Sequence, residues 1–447
     1  MSETLVSIWT DANTQWVLIG TLLLGLASGL IGSFALLKKQ SLIGDAMAHA
    51  ALPGICIAFL IHGAKSMSWF IIGAALSGLL ATFFIEKIIK LSRIKEDTSI
   101  GLVLSVFFGF GIVLLTYINH QSKGNQSGID DFIFGQAASL VGADVKLISA
   151  VAVLLIIITV LLFKELKLLT FDPQFAQGIG LPTGLLNGLL MTLIVGVVVI
   201  GLQAVGVILM SAMLITPAIA ARYWTERLDH MVIIAGAIGA FSGVFGTLLS
   251  TTTKGMPTGP LIIVAATIIF LISMVFAPKR GLLVKAIHQS RLRKQVAREQ
   301  VLQTLYDFTE QEYVQYKVGN GFHEQQIMKK RPISISMLQK VLSSLEKEEL
   351  VRRTGDALWC LTEKGLTEAY HITLRNRLME VYLMNEMTYA HFNIRQDQSM
   401  DLLQLPEKVL TELKQLLKQY GREPLVLPEK MNAGKRSYHR YASIGGK

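Results

Sequence analysis

The sequence predicts an all-α polytopic membrane bundle followed by a smaller α+β domain in the aqueous phase, and three observations carry that prediction. Hydrophobic residues make up 51% of the 447 residues and charged residues only 17%, against about 25% in an ordinary soluble domain. Apolar stretches of about 20 residues, each enough for a helix of roughly 30 Å, recur through the first 277 positions. The charge is unevenly divided: residues 1–277 hold 14 Lys+Arg against 13 Asp+Glu, whereas 278–447 hold 28 against 19. Almost all of the net charge of +10 therefore belongs to the C-terminal part. A mean hydropathy of +0.48 argues against a wholly water-soluble enzyme. The two cysteines, Cys56 and Cys360, lie in unlike surroundings and exclude a disulfide framework or a Cys-rich metal site.

The membrane part is taken as residues 1–278. Its candidate spans are 16–37, 42–61, 69–89, 100–118, 145–163, 185–202, 205–221, 231–249 and 260–276. That makes about nine, with a range of eight to ten, because the second is interrupted and the sixth and seventh are nearly continuous. Lys38 and Lys39, the stretch 87–95, Lys164 and Lys167, Arg222 and Arg227, and Lys279 and Arg280 occupy alternate connections. The other connections hold at most one basic residue each, at Lys65, Lys123 and Lys254. Basic loops stay in the cytoplasm, so nine spans put the N-terminus outside and the C-terminal domain in the cytoplasm. The first 15 residues lack a basic region, so the first span does not read as a cleaved signal peptide. Gly25 with Gly29, and Gly239 with Gly243, have the spacing that lets membrane helices approach closely.

The most informative local feature is Ser41-Leu-Ile-Gly-Asp45-Ala-Met-Ala-His49-Ala-Ala-Leu-Pro53-Gly54. An ionisable residue inside a span costs about 2.5–3.5 kcal/mol on insertion scales and marks function by default. Asp45 and His49 stand four apart, which places both on one helix face about 6 Å apart at Cβ. A carboxylate and an imidazole suit a divalent first-row cation. A pair that merely neutralises itself, and a proton relay, satisfy the same spacing. Two side chains cannot complete a coordination sphere, so water, other spans or a second subunit must add the rest. Pro53-Gly54 is expected to break the helix in mid-membrane, as is tolerated where backbone lines a cavity.

Several ordered segments together identify a family resemblance. The run from Lys38 to Gly54 resembles the signature of the manganese/zinc/iron permease family of ATP-binding-cassette importers. Ile94-Lys-Glu-Asp97-Thr-Ser-Ile-Gly101 resembles that family's loop before the fourth span, and the stretch Val205 to Ala221, with Pro217, its late proline-bearing helix. Asp172-Pro-Gln-Phe-Ala176-Gln-Gly-Ile-Gly180-Leu-Pro182 resembles the segment that docks on the ATPase. The resemblance implies that Asp45 and His49 form the intramembrane metal site. It implies that Asp172, Ala176, Gly180 and Pro182 belong to the ATPase-coupling segment. It implies a plasma-membrane permease that pairs with a second permease subunit, cytoplasmic ATP-binding subunits and an extracellular metal-binding protein. Manganese, zinc or iron is then cargo, with no permanently bound cofactor. The chain has no Gly-x-x-x-x-Gly-Lys-Ser/Thr loop, so ATP hydrolysis is expected on the partners. His62-Gly-Ala-Lys-Ser66 is the nearest echo and lacks the first glycine.

Other polar groups read more plainly. His120, Asp130 and Asp131 are outer-loop residues that could guide a cation, although solvated loop positions are the simpler account. Glu226, Asp229 and His230 read as inner-loop charge, and Asp144 as a helix-end residue. Residues 279–298 form a basic juxtamembrane helix or linker suited to anionic lipid headgroups. In 299–370, a helix around Leu302, Leu305, Tyr306 and Phe308 precedes one beginning at Ser334. An alternating stretch follows around Gly355-Asp356, and a further helix opens at Thr362. That is the order of a winged helix. The passage continuing to about Leu417 resembles the diphtheria-toxin-repressor family of metal-dependent regulators, and 371–447 reads as a helical, dimerisation-like extension and tail. Asn376 replaces that family's histidine, and His391 stands without most of the acidic ligands, so a working sensor site is not expected. The helix from Ser334 exposes Lys340 and serines instead of an arginine-rich face, which makes DNA binding doubtful. The rival functions are a membrane-tethered metal-responsive transcription regulator and a proton-coupled secondary metal transporter.

Overall fold

In the computed structural model, residues 12–40, 42–63, 66–121, 142–252, 256–314, 321–354, 358–385 and 407–426 are described. The chain divides into two compact units, Met1–Lys285 and Ala286–Lys447.

Among its described residues, unit 1 has helices as its only regular elements. In chain order it contains α1 (Ala12–Leu37), α2 (Ile43–His62), α3 (Met67–Leu91), α4 (Glu96–Gln121) and α5 (Gly142–Leu161). Two short helices follow, α6 (Phe163–Phe171) and α7 (Pro173–Gly178). Then come α8 (Thr183–Val205), α9 (Val207–Trp224), α10 (Leu228–Thr252) and α11 (Thr258–Phe276). Among the described residues, eight helices are long and apolar enough to cross a membrane: α1 to α5, α8, α10 and α11. The expected span at 205–221 forms α9, whose 18 residues reach about 27 Å. The near-continuous sixth and seventh candidates separate at Gly206. Its φ of +94° and ψ of 160° belong to a region open essentially to glycine alone. Helices α1 and α2 lie innermost, with 72% and 78% of their apolar windows buried, whereas only 22% of α4 is.

The paired glycines meet. A Cβ on Gly25 would overlap the Gly239 carbonyl, one on Gly29 the Ala235 carbonyl, and one on Gly243 the Thr21 carbonyl. As α1 ascends, its partners in α10 descend, so the two helices are antiparallel with backbones in contact. Hydrocarbon chains are as apolar as leucine, and close backbone packing of this kind is what holds membrane helices together.

One expectation is overturned. Helix α2 does not break at Pro53-Gly54 but runs on to His62, with Pro53 inside it. Neighbouring helices stabilise the continuation. Gly54 packs so tightly that a Cβ would overlap the Gly73 carbonyl of α3, and Ser77 Oγ donates to the Ala50 carbonyl at 2.6 Å. Pro53 still lacks an N–H, so the His49 carbonyl cannot receive its usual i+4 hydrogen bond.

Unit 2 contains most of α12 (Leu282–Val314), then α13 (Glu324–Lys330), α14 (Ile335–Lys347), β1 (Val351–Thr354), β2 (Leu358–Leu361), α15 (Glu363–Met384) and α16 (Glu407–Gln419). From Leu282 the basic segment 279–298 is helical and runs on into the helix carrying Leu302 and Tyr306. Strands β1 and β2 pair antiparallel with Val351 opposite Leu361 and Thr354 opposite Leu358. Gly355 and Asp356, expected to make the turn, lie outside the described residues, as do Asp130, Asp131 and His391. Phe322 adds an antiparallel bridge to Trp359 that the sequence did not announce. Leu338, Val341, Leu342 and Leu345 of α14 turn inward onto Leu302, Leu305 and Tyr306. Thr362 caps α15 by accepting from the Gly365 N–H at 3.0 Å.

Arg377 ties α15 to α12 through Glu310 at 2.5 Å and Asp307 at 3.4 Å. Burial disfavours its charge, but the Glu310 hydrogen bonds and the two carboxylates outweigh that and hold its pKa above the ordinary range. Tyr306, pushed up mainly by burial, donates to the Val426 carbonyl at 3.0 Å and fixes the end of the described chain.

Helix α14 ends in a Schellman motif, Leu350 N–H to Leu345 and Glu349 N–H to Glu346, in which exposed Glu349 takes a left-handed φ of 60°. A side chain there costs about 1–2 kcal/mol, of which glycine returns part to unfolded-state entropy. Glu349→Gly is therefore expected to stabilise unit 2 by about 0.5–1 kcal/mol, read as slower hydrogen exchange across α14 and β1.

Candidate functional site

The first turn of α2 sets the site. Helix α1 closes in a Schellman motif, with Gln40 N–H bonded to Ala35 and Lys39 N–H to Leu36, and Lys39 adopts a left-handed φ of 61°. That reversal delivers the chain to Ile43, where Gly44 lies against Leu214 of α9 so closely that a Cβ would stand 2.8 Å from its Cδ2. Ala46, Met47, Ala48, Ala50 and Ala51 are buried. Asp45 and His49 share the remaining face, their side chains 38% and 19% exposed.

Asp45 Oδ1 and His49 Nε2 are 3.6 Å apart, outside hydrogen-bond range, so they are not a self-contained hydrogen-bonded pair. The other imidazole nitrogen, Nδ1, is buried with no hydrogen-bond partner. The His49 ring meets Phe108 of α4 edge-to-face, with centroids 4.7 Å apart and planes at 77°. Phe108 was not identified from the sequence; it falls in an unbroken apolar run. Among the described residues no group of three or more His, Cys, Asp and Glu could hold a metal ion. Asp45 and His49 are two such side chains on one face of α2.

The segment 172–182 is a compact projection. Asp172 caps α7 by accepting from the Phe175 N–H at 2.9 Å, with Pro173 at the first helical position. Gly180, at φ +87°, closes α7 in a Schellman motif, Leu181 N–H to Ala176 and Gly180 N–H to Gln177. Pro182 then opens α8. Asp172, Gly180 and Pro182 are at the surface, whereas Ala176 is buried. The groups that project are Phe171, Phe175 and Ile179, each 55–59% exposed and spaced by four residues. This apolar ridge is interspersed with the glycines and prolines that mark the segment in sequence.

The Glu226 and Asp229 carboxylates are ion-paired. Asp229 meets Lys167 at 2.8 Å and Arg227 at 3.7 Å, and Glu226 meets Arg280 at 3.4 Å. Asp144 lies in the first turn of α5, and His120 in the last turn of α4. In unit 2, Asn376 Nδ2 donates to Gln303 at 3.1 Å, a structural contact between α15 and α12.

Comparison with known proteins matches residues 10–277 to the ABC 3 transport family. The chain is 56% identical over 423 residues to the manganese transport system membrane protein MntC of Bacillus subtilis (strain 168), covering 94% of this chain and 95% of that protein. It is 45% identical to the zinc transport system membrane protein TroC of Treponema pallidum (strain Nichols), over 64% of this chain and 97% of that protein. Among solved structures, PsaBC from Streptococcus pneumoniae in complex with Fab matches with a TM-score of 0.56 at 33% identity, covering 62% of this chain and 97% of that chain. The Bacillus match is long enough to take in most of unit 2. With the family matched from the first span to the last, this chain belongs to the ABC 3 transport family.

Proposed function

We propose that the chain is the membrane-spanning subunit of an importer of divalent metal ions, manganese first and zinc or iron after it. The observation that carries this reading is the polar face of α2. A carboxylate turned toward lipid would cost several kcal/mol, so the exposed face of Asp45 must line a path or meet a partner. The unpartnered Nδ1 of His49 is a nitrogen that a cation, or a reorientation toward one, would satisfy. Asp45 and His49 hold the ion partly dehydrated, and a second permease subunit and water complete its shell. The named transport of manganese by MntC and zinc by TroC supports the choice of cargo. A carboxylate with waters favours the harder ion.

ATP hydrolysis takes place on separate cytoplasmic subunits, and an extracellular metal-binding protein supplies the ion. Asp172, Ala176, Gly180 and Pro182 build the coupling segment, with Ala176 as its buried foot and Phe171, Phe175 and Ile179 as its contact ridge. Phe175→Asp is expected to weaken ATPase co-purification by about 1–2 kcal/mol, as loss of an aromatic anchor does. Unchanged recovery of the partner would remove the ridge from the interface.

The protein lies in the plasma membrane with unit 2 in the cytoplasm. Unit 2 is read as a winged helix of the diphtheria-toxin-repressor kind, supported by the helix, helix, hairpin, helix order and the Phe322–Trp359 bridge. It serves packing or dimerisation beside the ATPase, not metal sensing, since Asn376 is engaged with Gln303. Proteoliposomes holding the chain with its ATP-binding partner test the whole reading. ATP-dependent manganese uptake is expected. Uptake without the ATPase would favour a secondary transporter, and sequence-specific DNA retention would favour a tethered regulator.

A further inference from the structure

Four helix ends of unit 1 meet in a polar cluster far from any neighbour in sequence. Asn187 of α8 accepts through Oδ1 from Lys38 Nζ, at the end of α1, and donates through Nδ2 to Glu86 Oε1 of α3 at 2.9 Å. Beside them Gln40 Nε2 donates to Glu96 Oε1, at the start of α4, at 2.6 Å. All five side chains are half-buried. Burial lowers the Lys38 pKa while the charges of Glu96 and Glu86 act against it.

An amide suits this place because it offers an acceptor to the ammonium and a donor to the carboxylate at once. Its position along the chain matters as much. Pro182, where the 172–182 projection ends, precedes Asn187 by five residues, about 7.5 Å along α8. Lys38 precedes Asp45 by seven residues, across the left-handed turn at Lys39 that launches α2. The covalent and hydrogen-bonded route from Phe175 through α8 to Asp45 is therefore unbroken, and its one side-chain step is Asn187 to Lys38.

We propose that Asn187, through its hydrogen bond to Lys38, is a positioning residue that transmits displacement of the 172–182 projection to the Asp45 end of α2. The inference rests on the importer reading above. Loss of the amide lets Lys38 and Glu86 close on each other, so the fold survives while α8 is released from the turn before α2.

The test uses the full transporter, chain plus ATP-binding partner, in proteoliposomes with manganese alone as the probe. Asn187→Ala is expected to keep bound manganese and ATP hydrolysis within about twofold of wild type. Manganese moved per ATP falls about tenfold, within the usual coupling range. Lys38→Met cuts the same step from the other side and gives the same fall, and the double variant is no worse than either single one. Wild-type transport per ATP in either variant, or effects that multiply in the double variant, would overturn the proposal. Asp45→Ala separates the two claims, because it loses bound manganese whereas Asn187→Ala retains it. A wild-type complex that neither binds nor moves manganese would overturn the importer reading itself.

Discussion

Asp45→Ala is expected to reduce manganese uptake by about 100-fold or more while leaving the protein inserted and assembled. The magnitude follows from the ligand count. Partners that only orient a metal ligand are worth about 10–100-fold, and Asp45 is one of two ionisable groups that α2 directs to one face. Assembly survives because the carboxylate makes no hydrogen bond that the bundle needs, and its removal relieves a charge that is costly at membrane depth. His49→Ala should match it in uptake but carry a packing cost, because the imidazole fills the space against Phe108. Asp45→Asn keeps the volume and removes the charge, so it isolates the electrostatic part. Normal metal accumulation by any of the three, measured by mass spectrometry of loaded vesicles, would sink the site assignment.

Gly25→Leu is expected to abolish the folded bundle, and Gly25→Ala to weaken it. Even one methyl group at position 25 overlaps the Gly239 carbonyl, and a backbone atom cannot rotate away as a side chain can. Overpacking of a close contact costs about 1–3 kcal/mol, occasionally more, and here α1 and α10 must separate along their whole shared seam. Gly101→Ala provides the contrast: nothing lies within 4 Å of a Cβ there. It should leave stability unchanged or slightly raised, as alanine in a helix does. Thermal unfolding of the purified chain in detergent distinguishes the two, and equal midpoints would show that the glycine seam does not hold the bundle.

What the sequence could and could not announce follows from the range of each signal. Asp45 and His49 were legible because their spacing is helical and their polarity stands out against an apolar run. Gly25, Gly29, Gly239 and Gly243 were legible as packing positions, although not as partners of one another. Pro53 misled because its rule is local: the missing N–H predicts a break, and only the Gly73 and Ser77 contacts of α3 explain why α2 continues. Gly206, in contrast, was an overlooked breaker that divides α8 from α9. Ala176 drew notice through its motif, while Phe175 and Ile179, ordinary apolar residues in any alphabet, form the exposed ridge. The Lys38–Asn187–Glu86 cluster joins positions 149 and 101 residues apart, and no periodicity reports a contact of that kind.

The glycine seam also constrains the order in which this protein can be made. Thr21 of α1 reaches Thr247 of α10 across 226 residues, so α1 is made well before its main packing partner. Until α10 arrives, the Gly25 and Gly29 face of α1 lacks the backbone it packs on, and long-range closures of this sort are slow and exposed to mispairing. A chain truncated before Gly239 should be recovered as a degradation substrate, not as a smaller bundle.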